Sequence, residues 1–134
     1  MRDAAAALGN SLQDLRVSTF HETDAVGVGD QPPFLNAAAT GHTALAAQHL
    51  LATLLQIESR LGRERPFAGA PRAIDLDLIL YGDSIIDEPG LRVPHPRFRE
   101  RLFVLAPLAE IAPGWRDPVT GRTVGELLEL AAGR

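Results

Sequence analysis

The residues best suited to chemistry lie close together. Asp75 and Asp77 stand two apart in the run Ile74-Asp-Leu-Asp-Leu-Ile-Leu-Tyr81. On a strand alternate side chains share a face, so both carboxylates would point the same way, about 6 to 7 Å apart along the backbone. Paired hard oxygens at that spacing suit Mg²⁺, which keeps several waters and is typically held by one or two carboxylates together with substrate phosphates. The plain alternative is an Asp-x-Asp lining a solvated sheet face, the usual place for acidic residues. Both acids, however, interrupt a Leu-rich strand in which β-propensity disfavours Asp, and a local conflict of that kind often marks a functional site.

Arg72 stands three residues ahead of Asp75, and Arg63 and Arg65 lie a little before it. Guanidinium forks there can grip phosphate oxygens, the alternative being ordinary solvated charge. Phosphoryl transfer is promoted chiefly by positioning and charge neutralisation, so arginines and a metal can share the task. His95 precedes Arg97, Arg99 and Arg101, which sets an imidazole beside a cationic cluster. His21, His42 and His49 lack the i, i+4 spacing of a metal site and read as structural. Phe34 and Asn36 share one face of a short strand and can stack a planar heterocycle and bond its edge. Pattern alone favours Phe34 as core and Asn36 as a strand-end polar residue.

The elements that must position these groups follow from periodicity and turn chemistry. An Ala-rich helix over residues 2 to 8 is stopped by Gly9 and Asn10. Leu15 to Thr23 suggests a strand, 24 to 33 a Gly- and Pro-containing loop, and Phe34 to Thr40 a returning strand. Thr43 is a candidate N-cap for a helix over 44 to 60, with Ala47, Leu50, Leu51, Leu54, Ile57 and Leu61 at helical spacing and Gly62 ending it. An irregular basic segment, 63 to 72, leads into a strand over 73 to 81. There Leu76, Leu78 and Leu80 share one face, and Asp75, Asp77, Ile79 and Tyr81 the other. Gly82 and Asp83 permit a tight turn into residues 84 to 86. Residues 97 to 111 carry broken helical periodicity, and Thr123 with Glu126 matches a capping box for a last helix through Ala132. This mixture favours an α+β sandwich over a doubly wound sheet.

Composition narrows the classes. The 134 residues, 46% hydrophobic, suit one domain spanning 1–134. A net charge of -4 argues against a general nucleic-acid binder, which needs clustered excess Lys and Arg. The absence of cysteine leaves no disulfide framework, thiolate zinc site or cysteine nucleophile and fits a cytoplasmic location. No long apolar run reads as a signal peptide or a membrane span, so a soluble protein is expected.

Three runs carry a family resemblance: Gly62-Arg-Glu-Arg65, Ala70-Pro-Arg-Ala-Ile-Asp-Leu-Asp-Leu-Ile-Leu-Tyr-Gly82, and Val93-Pro-His-Pro-Arg-Phe-Arg-Glu-Arg-Leu-Phe-Val-Leu-Ala-Pro-Leu-Ala-Glu-Ile-Ala-Pro113. Their order and spacing resemble the 6-hydroxymethyl-7,8-dihydropterin pyrophosphokinases, and Gln31-Pro-Pro-Phe-Leu-Asn-Ala-Ala38 resembles that family's pterin-contacting strand. The resemblance implies transfer of pyrophosphate from ATP to the pterin's hydroxymethyl oxygen, releasing AMP, with two Mg²⁺ ions on Asp75 and Asp77. Asp75 would also lie near the reacting hydroxyl. Arg63 and Arg72 match loop arginines on the phosphates, and His95 and Arg101 match ATP-binding positions. Phe34, Asn36 and Phe103 match pterin-pocket positions, with Thr23 and Val26 at the pterin edge.

The implied fold is a ferredoxin-like αβ sandwich with an antiparallel sheet. This chain departs from the pattern twice. Gly69 and Ala70 stand where the family usually carries an aromatic residue, often Trp, leaving Phe67 as the nearest ring. The family also opens with a strand and a Gly-Ser-Asn turn, whereas these first residues already read as helix, so the first strand is expected to be missing and the sheet weakened. An inactive pterin- or nucleotide-binding remnant is the competing reading. A phosphodiesterase built on the Asp pair and His95 lacks further ligands for a hydrolytic metal pair.

Overall fold

The computed structural model describes residues 2–23, 34–63 and 75–133. Helix α1 (Arg2–Ser11) continues through Gly9 and Asn10, beyond the stop those residues suggest, and Leu12 N–H donates to Leu8 C=O at 2.8 Å at its end. The β-forming stretch after it is divided into β1 (Gln13–Val17) and β2 (His21–Thr23), and the returning arm into β3 (Phe34–Asn36) and β4 (Ala39–His42). β1 pairs antiparallel with β4, and β2 with β3.

Ser18 accounts for the division that strand propensity did not signal. Its N–H donates to Ala38 C=O at 2.8 Å, while its buried hydroxyl accepts from Ala38 N–H at 2.9 Å and donates to Thr19 C=O at 2.8 Å. A side chain thus takes over backbone groups that a ladder would have joined. Between the Val17–Ala39 and His21–Asn36 pairs, the first arm carries one residue more than the second.

Helix α2 (Ala47–Arg63) buries the expected stripe: Ala47, Leu50, Leu54, Ile57 and Leu61 are all enclosed, and Leu51 is partly so. It begins later than Thr43 suggests. The Thr43 hydroxyl accepts from Leu45 N–H at 3.0 Å in a local turn, and the helix opens where Leu50 N–H meets Ala46 C=O at 2.9 Å. Nor does Gly62 end it, since the helix reaches Arg63. An interior glycine costs about 1 kcal/mol against alanine, a small sum beside a fully packed stripe.

Strands β5 (Ile86–Glu88) and β6 (Leu91–Val93) form a hairpin turning at Gly90, whose φ of +81° glycine adopts without the Cβ penalty. A 3₁₀ turn (Phe98–Glu100) and α3 (Leu102–Ile111) divide the stretch of broken periodicity. Helix α4 (Val124–Ala132) carries the expected capping box: Glu126 N–H donates to the Thr123 hydroxyl at 3.1 Å, and Thr123 N–H to the Glu126 carboxylate at 2.9 Å. Among the described residues the sheets are three antiparallel pairs, so the class is α+β.

Among the described residues burial gathers in three clusters. Ala4, Ala7 and Leu8 of α1 meet Leu54, Ile57 and Leu61 of α2. Ala47 meets Leu91 and Val93 of the hairpin. Phe98, Leu105, Leu108 and Ala112 meet Val124, Leu127 and Ala131 of α4. Residues 75–81 thread all three and join no ladder among the described residues, correcting the described part of the strand expected over 73 to 81. Leu76 and Leu78 pack on the α1–α2 cluster and Leu78 and Tyr81 on the hairpin cluster, while Ile79 and Leu80 both enter the α3–α4 cluster. Alternation therefore ends at Leu78. Backbone groups of the segment go elsewhere: Leu76 N–H donates to the Glu58 carboxylate at 2.5 Å, Ile79 C=O accepts from His95 N–H at 2.8 Å, and Tyr81 C=O accepts from Ser84 N–H at 3.0 Å.

Candidate active site

With Leu76 and Leu78 drawn down onto the helices, the intervening Asp77 and the preceding Asp75 are left exposed on the outer side of the segment. Glu58, on α2, fixes the backbone between them, a contact from outside the segment that no local spacing announces. The second anchor brings in His95, because its N–H bonds to Ile79 two residues past Asp77. The Asp segment and the loop after β6 are thereby tied together.

His95 is half-buried, and its Nδ1 accepts from Arg97 N–H at 3.2 Å, which leaves Nε2 to carry the proton of the neutral ring. Burial is the main influence lowering its pKa; Arg101 and Arg97 act in the same direction and Asp77 opposes them. Asp77 and Arg101 therefore each lie within electrostatic reach of His95. A neutral imidazole donor beside a guanidinium, facing a carboxylate, is a polarised arrangement able to meet phosphate oxygens on one side and a metal on the other.

The three arginines after His95 do not act together. Arg99 turns into the protein: its Nε donates to Asp117 Oδ2 and one terminal nitrogen to Oδ1 at 2.9 Å, while its guanidinium lies 4.9 Å from the centre of the Phe98 ring. Arg101, immediately before α3, stands over the Phe103 ring at 5.5 Å, and Phe103 itself is exposed. Sequence reading grouped Arg99 with its neighbours because its partner lies 18 residues away. The fully buried Asp117 was missed altogether; in sequence it reads as one more polar loop residue.

Strand β3 lies against α3, and Ala38, just beyond its end, packs on the α3–α4 cluster. This arrangement is secured by Glu110 of α3, whose carboxylate accepts from Thr19 N–H and the Thr19 hydroxyl, each at 2.6 Å, and lies 3.0 Å from His21 Nε2. Asn36 is half-buried on β3, on the same sheet pair as the backbones of Phe34 and Thr23. The side chains of Phe34, Thr23 and Arg63 lie outside the described residues, as do Val26, Arg65, Phe67, Gly69, Ala70 and Arg72 entirely.

No group of three or more His, Asp or Glu converges to hold a metal among the described residues. Asp75 and Asp77 fit the other kind of magnesium site, in which two carboxylates offer hard oxygens and phosphate and water oxygens supply the rest. Among the described residues, no helix is long and apolar enough to cross a membrane.

Comparison with known proteins adds to this geometry. Residues 1–113 match the sequence profile of the 7,8-dihydro-6-hydroxymethylpterin-pyrophosphokinase family. The chain is 43% identical over 126 residues to the 2-amino-4-hydroxy-6-hydroxymethyldihydropteridine pyrophosphokinase of Synechocystis sp., covering 94% of this chain and 64% of that relative. It is 51% identical over 113 residues to the protein of the same name from Bacillus subtilis, covering 83% of this chain and 68% of the relative. The Pseudomonas aeruginosa protein of that name is 45% identical over 112 residues, covering 84% and 68%. The chain spans about two thirds of the length of these relatives.

Proposed function

The chain belongs to the 7,8-dihydro-6-hydroxymethylpterin-pyrophosphokinase family, and from that premise we propose that it transfers the pyrophosphoryl group of ATP to 6-hydroxymethyl-7,8-dihydropterin in folate biosynthesis. The observation that carries the reading is the His95 N–H bond to Ile79 C=O at 2.8 Å, which ties the segment carrying Asp75 and Asp77 to the loop carrying His95 ahead of Arg101. The pterin's hydroxymethyl oxygen attacks the β-phosphorus of ATP, the bond from that phosphorus to the α-phosphate oxygen breaks, and AMP leaves.

Asp75 and Asp77 would hold two Mg²⁺ ions, which when bound neutralise phosphate charge and favour ionisation of the alcohol. Arg101 and the His95 Nε2–H grip phosphate oxygens, while Arg63 and Arg72 do the same from the loop before the Asp pair. Asn36 bonds the pterin edge, where Thr23 and Val26 also meet it, Phe34 and Phe103 enclose its faces, and Asp75 lies nearest the hydroxyl. Most of the barrier is lowered by alignment and charge neutralisation, which this reaction type needs more than a strong base. The three antiparallel pairs and flanking helices support a ferredoxin-like sandwich as the finer fold, and a cytoplasmic location accords with the use of ATP.

The test is AMP release, followed by chromatography, from the chain with Mg²⁺, ATP and the pterin, against a mixture lacking pterin. Pterin-dependent AMP is expected. Folded protein giving no such AMP would instead favour a chain that binds pterin or nucleotide without turnover.

A further inference from the structure

Asp117 is the one carboxylate among the described residues with no exposed surface, and it lies past residue 113, where the family match ends. Every acceptor it owns is used. Its carboxylate takes the Arg99 fork, the Thr120 hydroxyl at 2.7 Å and Val119 N–H at 3.0 Å, and its backbone bonds to Arg122 and Gly121 at 2.9 and 2.8 Å. A loop stapled this heavily is a fixed post, and Arg99 is tied to it.

Arg99 sits in the middle of a continuous backbone relay. Phe98 N–H bonds to His95 C=O at 3.3 Å, Arg101 N–H to Phe98 C=O at 3.2 Å, and Leu105 N–H to Arg101 C=O at 2.9 Å. Phe98, fully buried against α3 and α4, is the inward anchor of this turn, and the Arg99 fork is its side-chain anchor. The two ends of the same turn carry His95 and Arg101.

We infer that Asp117 is a positioning residue for nucleotide binding: by holding the Arg99 fork it fixes the 3₁₀ turn that sets His95 and Arg101. The inference rests on the ATP-binding role proposed above for those two residues. The segment after residue 113 is then a working part of the nucleotide site.

Two measurements on the full chain test this. In the free protein, the imidazole ring resonances of His95 are compared between the parent, Asp117→Asn and Glu110→Gln, the last removing an unrelated α3 contact. Asp117→Asn is expected to shift them and Glu110→Gln to leave them in place; unmoved resonances in Asp117→Asn overturn the inference whether or not the chain has activity. Magnesium-ATP affinity by calorimetry, well below each variant's melting point, should fall about tenfold in Asp117→Asn with pterin affinity held within twofold. A parent that binds no nucleotide would count against the proposed function and equally against the role of Asp117 in nucleotide binding. Arg99→Lys, which keeps the charge and loses the fork, should fall between parent and Asp117→Asn; parental affinity in both variants, or equal loss for both ligands, reduces Asp117 to a purely structural residue.

Discussion

Asp77 shows how one residue is made available by its neighbours. Leu76 and Leu78 are committed to the helices, so the side chain between them is delivered to solvent without any contribution of its own to packing. Removing it should therefore leave the fold intact, since exposed substitutions away from packing features usually change stability by less than about 0.5 kcal/mol. On the proposed reaction the same change removes a metal ligand whose effect is realised mostly in the transition state. Asp77→Ala is expected to lower pterin-dependent AMP formation by about 10²-fold or more while the melting point stays put. Full activity in that variant would remove Asp77 from the mechanism. Arg99 offers the contrast: charged and close to His95 in sequence, it is committed to a buried partner.

Among the elements, α2 was legible in the sequence because its signal is periodic and local, and its stripe is enclosed apart from the partly buried Leu51. The capping box of α4 was legible for the same reason, being written within four residues. What escaped was decided at long range. Thr43 carries a cap-forming hydroxyl, yet helix α2 starts where Ala47 can reach the hairpin cluster, so packing sets the boundary. The segment 75–81 reads as a strand because pleated alternation suits its residues, but its backbone groups are claimed by Glu58 and His95. Glu58 is thus the element-scale control on the candidate site, and Glu58→Ala should cost about 1.5 to 3 kcal/mol of stability for the charge-assisted bond. Because it also frees the backbone beside both aspartates, kcat should fall about tenfold with ATP affinity little changed, and Glu58→Gln, which keeps an acceptor oxygen, should recover most of the loss. A drop in stability with kcat untouched would show that Glu58 merely supports the helix.

At the scale of the whole molecule, two carboxylates add polar ties between parts that the α3–α4 apolar cluster also draws together. Glu110 ties α3 to the break between β1 and β2, and Asp117 ties the loop before α4 to the 3₁₀ turn. The hydrogen bonds from Thr19, with that of His21, hold the Glu110 carboxyl down from 4.5 to about 2. Burial alone would push the Asp117 carboxyl up, but the bonds from Arg99, Thr120 and Val119 together outweigh it and hold it near 2 instead of 3.8. Both groups bind their proton more weakly in the folded chain than in the unfolded one. Their contribution is therefore complete above the ordinary values and is lost as the pH falls through the interval from 4.5 to about 2. Melting points taken in steps from pH 7 downward should stay level to about pH 5 and then drop across that interval. Glu110→Gln should lie below the parent at pH 7 and converge on it toward pH 2, with the gap narrowing in high salt because Glu110 faces solvent. Parallel curves for parent and variant over the whole range would mean that the Thr19–His21–Glu110 contact holds no part of the stability, and that α3 and the β1–β2 arm are joined by apolar packing alone.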